Sequence, residues 1–251
     1  MPKARPESRL YRLIAVVVRN SMFAMCRYEW SGGENLPASG GFIAAANHVT
    51  ELDALTFVHY LFDHGYEPRV MAKKSLFTAP VLGGVMRATK MIPVDRGSAA
   101  AAESLERAGQ ELGDGACVAI LPEGTLTRDP DLWPMEPKTG LARVALVTRL
   151  PVVPIAQWGV TEILPRYGRW LKPFPRKRVQ VRAGKPVDLS DLYDRPIDSA
   201  TLREVMNRVM DAVTAELAVL RAEQPPARRF DLRKHPDHEE KKMHYPPVER
   251  P

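Results

Sequence analysis

The stretch Phe42-Ile43-Ala44-Ala45-Ala46-Asn47-His48-Val49-Thr50-Glu51-Leu52-Asp53 opens on five apolar residues and turns polar at once. An unalternated apolar run of this length suits a strand covered on both faces. The polar residues after it open a helix. A histidine at a strand-to-helix turn stands at the sheet edge, where ligands bind in folds of this kind. Asp53 follows His48 by five residues. If the turn folds back, the Asp53 carboxylate accepts the proton on one imidazole nitrogen, fixes the tautomer and leaves the other nitrogen as a base. Read alone, the pair equally suits a surface histidine beside a helix-capping aspartate.

The same alternation runs outward from this stretch. Candidate strands lie at Phe42–Ala46, Arg69–Ala72, Met91–Val94, Ala116–Leu121, Val152–Gln157 and Val179–Ala183, with helical patterns near 53–63, 75–88, 98–112 and 138–149. In the segment 98–112, Ala101, Leu105, Ala108 and Leu112 form one stripe that stops at Gly113, a candidate C-terminal cap. Strand–helix alternation predicts a single α/β layered domain with a mostly parallel central sheet flanked by helices. The 251 residues, 45% hydrophobic and 26% charged, suffice for one such core.

Outside this region the patterns change. Residues 1–30 read as a basic amphipathic helix at a membrane interface. Leu10, Leu13, Ile14, Val17, Val18, Met22, Phe23, Met25 and Trp30 supply the apolar surface, and Arg9, Arg12, Arg19 and Arg27 the charge. The same pattern fits a helix packed on its own core. No apolar run approaches the roughly 18–20 residues a spanning helix needs, and no secretory cleavage pattern follows. The domain is expected over 31–222 and closes with a helix from about 201 to 222, where Thr201 and Glu204 suggest a capping box. Residues 223–251 are Pro-rich and charged and read as a disordered tail.

Two cysteines, Cys26 and Cys117, lie far apart and make no disulfide framework, which favours a reducing compartment. No set of Cys/His ligands has zinc spacing. Lys and Arg number 36 against 30 Asp and Glu, a net charge of +6 that favours an anionic partner. Three further strand ends carry polar groups: Leu121-Pro122-Glu123-Gly124-Thr125, Ile92-Pro93-Val94-Asp95-Arg96-Gly97 and the proline-edged Pro151-Val152-Val153-Pro154-Ile155. Singly these fit an ordinary turn, a surface ion pair and plain core. The glycine beside Glu123 lets a substrate approach the backbone closely.

Taken in order, Asn47–Asp53, Ile92–Arg96, Leu121–Thr125 and Val152–Ile155 resemble the four sequence blocks of the glycerolipid acyltransferase family, which includes the 1-acyl-glycerol-3-phosphate acyltransferases. Lys73, within Ala72-Lys73-Lys74, and Lys138, within Lys138-Thr139-Gly140, look like that family's intervening lysines. The resemblance covers residues 30–185. It implies acyl transfer from a thioester, acyl-CoA or acyl carrier protein, to the hydroxyl of lysophosphatidic acid, with no cofactor and no metal. His48 is then the general base oriented by Asp53. Arg96 and the Glu123–Gly124–Thr125 turn hold the phosphate-bearing acceptor. The family's arginine after Glu-Gly-Thr is Leu126 here, and Arg128 is the candidate replacement. Glycerol-3-phosphate, another glycerol or sugar lipid, or a catalytically inert membrane-binding relative remain open.

No GxSxG elbow is present, and both cysteines sit in apolar surroundings, so neither serine nor cysteine is the expected nucleophile. A basic stretch at 166–185, with Trp170 and Phe174 interleaved, suits membrane headgroups, a donor's phosphates or an acidic carrier protein, or a solvated loop. No nucleic-acid module is recognisable, so no nucleic-acid partner is expected. These readings place the chain at the cytoplasmic face of the cell membrane, as a peripheral or monotopic protein.

Overall fold

A computed structural model describes residues 9–95 and 100–235. Helix α1 (Arg9–Met25) leads into strand β1 (Cys26–Ser31). There follow β2 (Phe42–Ala46), α2 (Asp53–Asp63), β3 (Arg69–Lys73), α3 (Leu82–Ala88), β4 (Ile92–Val94), α4 (Ala100–Gly113) and β5 (Cys117–Ile120). The domain closes with α5 (Gly140–Thr148), β6 (Val152–Trp158), β7 (Lys177–Ala183) and α6 (Ser199–Arg221). The seven strands form one sheet in the order β1-β7-β6-β2-β5-β3-β4. Every pairing is parallel except β6 with β7.

Strand β2 shows why the apolar runs are unbroken. Ile43 and Ala45 face the core layer under α4, α5 and α6, while Phe42, Ala44 and Ala46 face the layer containing Phe57, Tyr60 and Leu61 of α2. Side chains alternate across a strand, so a strand buried on both faces must be apolar at every position. The parallel strands β2, β3, β4, β5 and β6 all end at one edge of the sheet. Ligands bind at that edge in open α/β folds.

Four expectations are corrected. The N-terminal helix stops at Met25, and Cys26–Ser31 joins the sheet, pairing with β7 from Cys26 opposite Lys177 to Ser31 opposite Arg182. Tyr28 and Trp30 are strand residues whose alternate positions turn outward, a period of two hidden inside an apolar helical pattern. The helix expected over 75–88 splits into a 3-10 turn at Lys74–Phe77 and α3, because Pro80 interrupts the chain just ahead of Val81 at φ 62°. The positive φ that ends the α4 region falls on Gly115 at 87°, not on Gly113. Helix α6 is capped by Asp198, whose carboxylate accepts from Ala200 N at 2.9 Å and Thr201 N at 2.8 Å, whereas Glu204 pairs with Arg208.

The expected tail is also ordered over its first part. Glu136 N donates to Phe230 O at 2.9 Å, Arg229 reaches Asn207 and Asp211, and Leu232–Lys234 forms a 3-10 turn. Residues 236–251 lie outside the described residues, as do 1–8.

Replacing Asp198 by Ala should remove about 1 kcal/mol of stability. Thr201→Val, which keeps the backbone donor, should cost less than half as much. Urea unfolding midpoints read with an unchanged slope check the pair.

Candidate active site

The end of β2 is pinned first. Gln157 N donates to Asn47 Oδ1 at 2.9 Å, Asn47 Nδ2 donates to Gln157 O at 3.1 Å, and Gln157 Nε2 donates to Asn47 O at 3.1 Å. Thr56 of α2 donates to Gln157 Oε1. Both amides are buried, so each unmade bond would carry a desolvation cost. This network fixes the direction in which the chain leaves the sheet.

The next six residues fold back on themselves. One carboxylate oxygen of Asp53, buried at 2% exposure, accepts from Val49 N and, at 2.7 Å, from Thr50 N. The same Oδ2 lies 3.4 Å from His48 Nδ1. That contact is longer than a well-formed N–H···O bond, so it aims the imidazole rather than clamping it. With the carboxylate facing Nδ1, the Nδ1–H tautomer is favoured and the Nε2 lone pair is left for chemistry. The His48 side chain is 16% exposed, which leaves it reachable.

His48 is also held from the opposite side. Its N–H donates to Glu123 Oε1 at 2.9 Å, and its carbonyl accepts from Thr127 N at 2.6 Å. Glu123 Oε2 accepts from Met135 N at 3.0 Å. The Glu123 carboxylate therefore points inward and braces the histidine backbone. Gly124 makes the turn possible, with φ 72° and a missing Cβ that would lie 3.3 Å from Lys138 Cγ. Thr125 is half-buried beside it.

The remaining predicted residues separate. Lys73 ends β3 at the same sheet edge and is exposed, next to Lys74, whose ammonium meets Asp95 at 3.0 Å. Arg128 is buried at 4% exposure, with its guanidinium 5.5 Å from the Tyr167 ring centroid. Leu126 is buried as well. Arg96 lies outside the described residues. Burial raises the pKa of both Cys26 and Cys117, so neither offers a ready thiolate. Among the described residues no group of three or more His, Cys, Asp and Glu side chains could hold a metal ion.

Beside the His48 turn lies an apolar cavity of about 240 Å³ between α1, α2 and α3, lined by Glu51, Ala54, Leu55, Val58, Ile14, Val18 and Met86 among others. Arg19 of α1 donates to Asp63 at 2.8 Å, and His59 Nε2 lies 3.3 Å from the same carboxylate. Burial acts to raise Asp63, but the bonds from His59 and Arg19 outweigh it and hold the group at about 2. Sequence reasoning missed the supports Gln157 and Thr127, together with Trp133, whose carbonyl accepts from Thr127 Oγ1 at 2.6 Å, and Arg166, whose Nη1 donates to Thr127 O at 2.7 Å. Gln157 alone carried a signal, as a polar residue closing an otherwise apolar strand.

The sequence profile of the family described as Acyltransferase matches residues 27–158, from β1 through the end of β6. The chain belongs to the acyltransferase family. A 1-acyl-sn-glycerol-3-phosphate acyltransferase of Bacillus subtilis is 29% identical over 177 residues, covering 70% of this chain and 82% of that protein. The chloroplastic 1-acyl-sn-glycerol-3-phosphate acyltransferase BAT2 of Brassica napus is 31% identical over 147 residues, 58% of this chain and 41% of the plant protein. An N-acylphosphatidylethanolamine synthase of Arabidopsis thaliana is 33% identical over 169 residues, covering 62% and 58%. The crystal structure of the LPA acyltransferase PlsC from Thermotoga maritima superposes with a TM-score of 0.65 at 21% identity, over 86% of this chain and 81% of that one. At that identity the likeness is one of fold.

Burial pushes the Glu123 carboxyl from its ordinary 4.5 up to about 8, against the pull of the Met135 and His48 backbone donors. The folded value exceeds the unfolded one, so the native chain binds more protons in between and stability falls as pH rises through that window. Glu123→Gln removes the titration, although its amide meets one of the two donors badly. The difference in unfolding free energy, wild type minus variant, should therefore shrink as pH rises from about 4.5 to about 8 and then level off. A pH-independent difference in urea unfolding would contradict this assignment.

Proposed function

We propose that this chain transfers a fatty acyl group from a thioester, acyl-CoA or acyl carrier protein, to the free hydroxyl of 1-acyl-glycerol-3-phosphate, forming phosphatidic acid. The observation that carries the reading is the His48 imidazole, with Nδ1 turned to the Asp53 carboxylate, standing at the sheet edge in a turn whose Glu51 lines an apolar cavity. Family membership and the names of the relatives support it.

In this mechanism Nε2 takes the acceptor hydroxyl proton as the oxygen attacks the thioester carbonyl. The tetrahedral intermediate collapses with cleavage of the carbon–sulfur bond. The imidazolium, stabilised by Asp53, returns the proton to the departing thiolate. A thioester is already activated, so no acyl-enzyme is needed. The cavity takes the acyl chain, where its methylenes leave water. Lys73, the last residue of β3, and Arg96, two positions beyond β4 in the sequence, are the cations assigned to the acceptor phosphate. Arg128, buried against Tyr167, shapes the turn behind it. The lipid acceptor and the product reside in a bilayer, so the chain works as a peripheral or monotopic protein at the cytoplasmic face. No described helix is long and apolar enough to cross a membrane.

A second reading concerns the acceptor alone. Leu126 stands where the family carries arginine, and one relative is named an N-acylphosphatidylethanolamine synthase, which favours trying phosphatidylethanolamine beside lysophosphatidic acid.

Purified protein with labelled palmitoyl-CoA should label phosphatidic acid when lysophosphatidic acid is supplied, in preference to glycerol-3-phosphate, phosphatidylethanolamine or a glycolipid. His48→Ala should lower the rate about 10²–10⁴-fold with an unchanged melting temperature. A variant that keeps more than about a tenth of the wild-type rate would remove His48 from the role of base.

A further inference from the structure

Between β6 and β7 the chain runs from Gly159 to Arg176 at the His48 edge of the sheet. Its tip exposes three large apolar side chains: Trp170 at 82%, Leu171 at 51% and Phe174 at 74%. Solvated loops rarely display such residues together, and a cluster of them rimmed by charge marks an interaction surface. The rim here carries one sign. No acidic residue occurs between Glu162 and Asp188. Arg169 and Lys172 are exposed between and beside the apolar residues, and neither forms an ion pair among the described residues. Aromatic rings next to cations suit the headgroup level of an anionic bilayer. A carrier protein or a CoA phosphate would be served by the cations alone.

We propose that the Arg169–Phe174 tip docks on an anionic lipid surface, with Trp170, Leu171 and Phe174 seated among the headgroups and Arg169 and Lys172 on lipid phosphates.

The tip is rigidly joined to the reactive edge. Lys172 N donates to Ile163 O at 2.7 Å, and Gly168 N donates to Pro165 O at 2.7 Å, closing the loop on itself. Arg166 Nη1 donates to Thr127 O at 2.7 Å and to Asp129 O at 2.8 Å, and Thr127 N donates to His48 O. At the far end Arg176 Nη2 donates to Cys26 O at 2.6 Å, just past the end of α1. Helix α1 itself exposes Leu10, Leu13 and Val17. A surface that seats the tip therefore stands at a fixed offset from the imidazole. The proposal deepens the lipid-acceptor reading, since it supplies the surface from which that acceptor would come.

The test uses the full chain and two kinds of vesicle, phosphatidylcholine alone and phosphatidylcholine with phosphatidylglycerol. The Trp170→Ala/Phe174→Ala double variant should lower partition onto the mixed vesicles about tenfold or more. Arg169→Glu/Lys172→Glu should weaken binding to the mixed vesicles and leave the weaker binding to phosphatidylcholine unchanged. Tryptophan emission should shift to the blue on vesicle addition in wild type and not in Trp170→Phe. Melting temperatures should not change, because every altered side chain is exposed. These arms need no turnover, so they stand even if the acceptor assignment fails. In the converse case, turnover of a short-chain acceptor dissolved as monomers should survive the double variant. Wild-type partition by the double variant would overturn the proposal. So would retention of an acidic carrier protein, lost in the charge-reversed variant, by a chain that binds neither vesicle.

Discussion

A single oxygen of Asp53 accepts from the backbone of Val49 and of Thr50 while facing Nδ1 of His48. One buried charge thus closes the turn after β2, sits at the N-terminus of α2 where the helix dipole favours an anion, and aims the imidazole. Asp53 is buried, yet it is not orphaned, because its partners are backbone donors that any sequence in this turn would supply. The chemistry follows from that economy. The group that closes the turn is also the group that faces Nδ1, so the imidazole of the proposed base cannot be re-aimed without disturbing the turn.

The neighbouring strand end answers the same constraint differently. Glu123 is as buried as Asp53, and its oxygens also accept backbone N–H groups, from His48 and Met135. Its burial nonetheless raises the carboxyl above its ordinary value. Two carboxyl groups thus bracket one histidine, one at its side chain and one at its backbone. Beyond them the Asn47–Gln157 amide pair ties β2 to β6, and Arg166 ties the β6–β7 loop to the 127–129 backbone. These polar bonds hold the His48 edge, while the two layers behind it are held by apolar burial.

This division explains what the sequence disclosed. Strands β2, β5 and β6 were legible because burial on both faces forces continuous apolar runs, β7 shows an alternating apolar pattern instead, and Phe42–Ala46 and Asp53–Asp63 fall where periodicity puts them. The His48–Asp53 pair was legible by spacing and by resemblance. Strand β1 was not, since Tyr28 and Trp30 extend the apolar pattern of α1 and only pairing with β7 makes them a strand. Residues 225–235 read as a tail because their attachments, Arg229 to Asp211 and Phe230 to Glu136, join residues distant in sequence. Glu123 was visible as a residue of the site, but the inward turn of its carboxylate depends on donors at 48 and 135. No local pattern announces them.

The claim on which the rest depends is that Asp53 holds His48 as the Nδ1–H tautomer with Nε2 free. Nitrogen-15 NMR of histidine-labelled protein, with His48→Gln to assign the resonance, reads this directly. At a pH where the ring is neutral, a protonated Nδ1 and a bare Nε2 are expected in the wild type, with the preference lost in Asp53→Asn. A wild-type His48 protonated on Nε2, or one whose tautomer ignores Asp53→Asn, would contradict it.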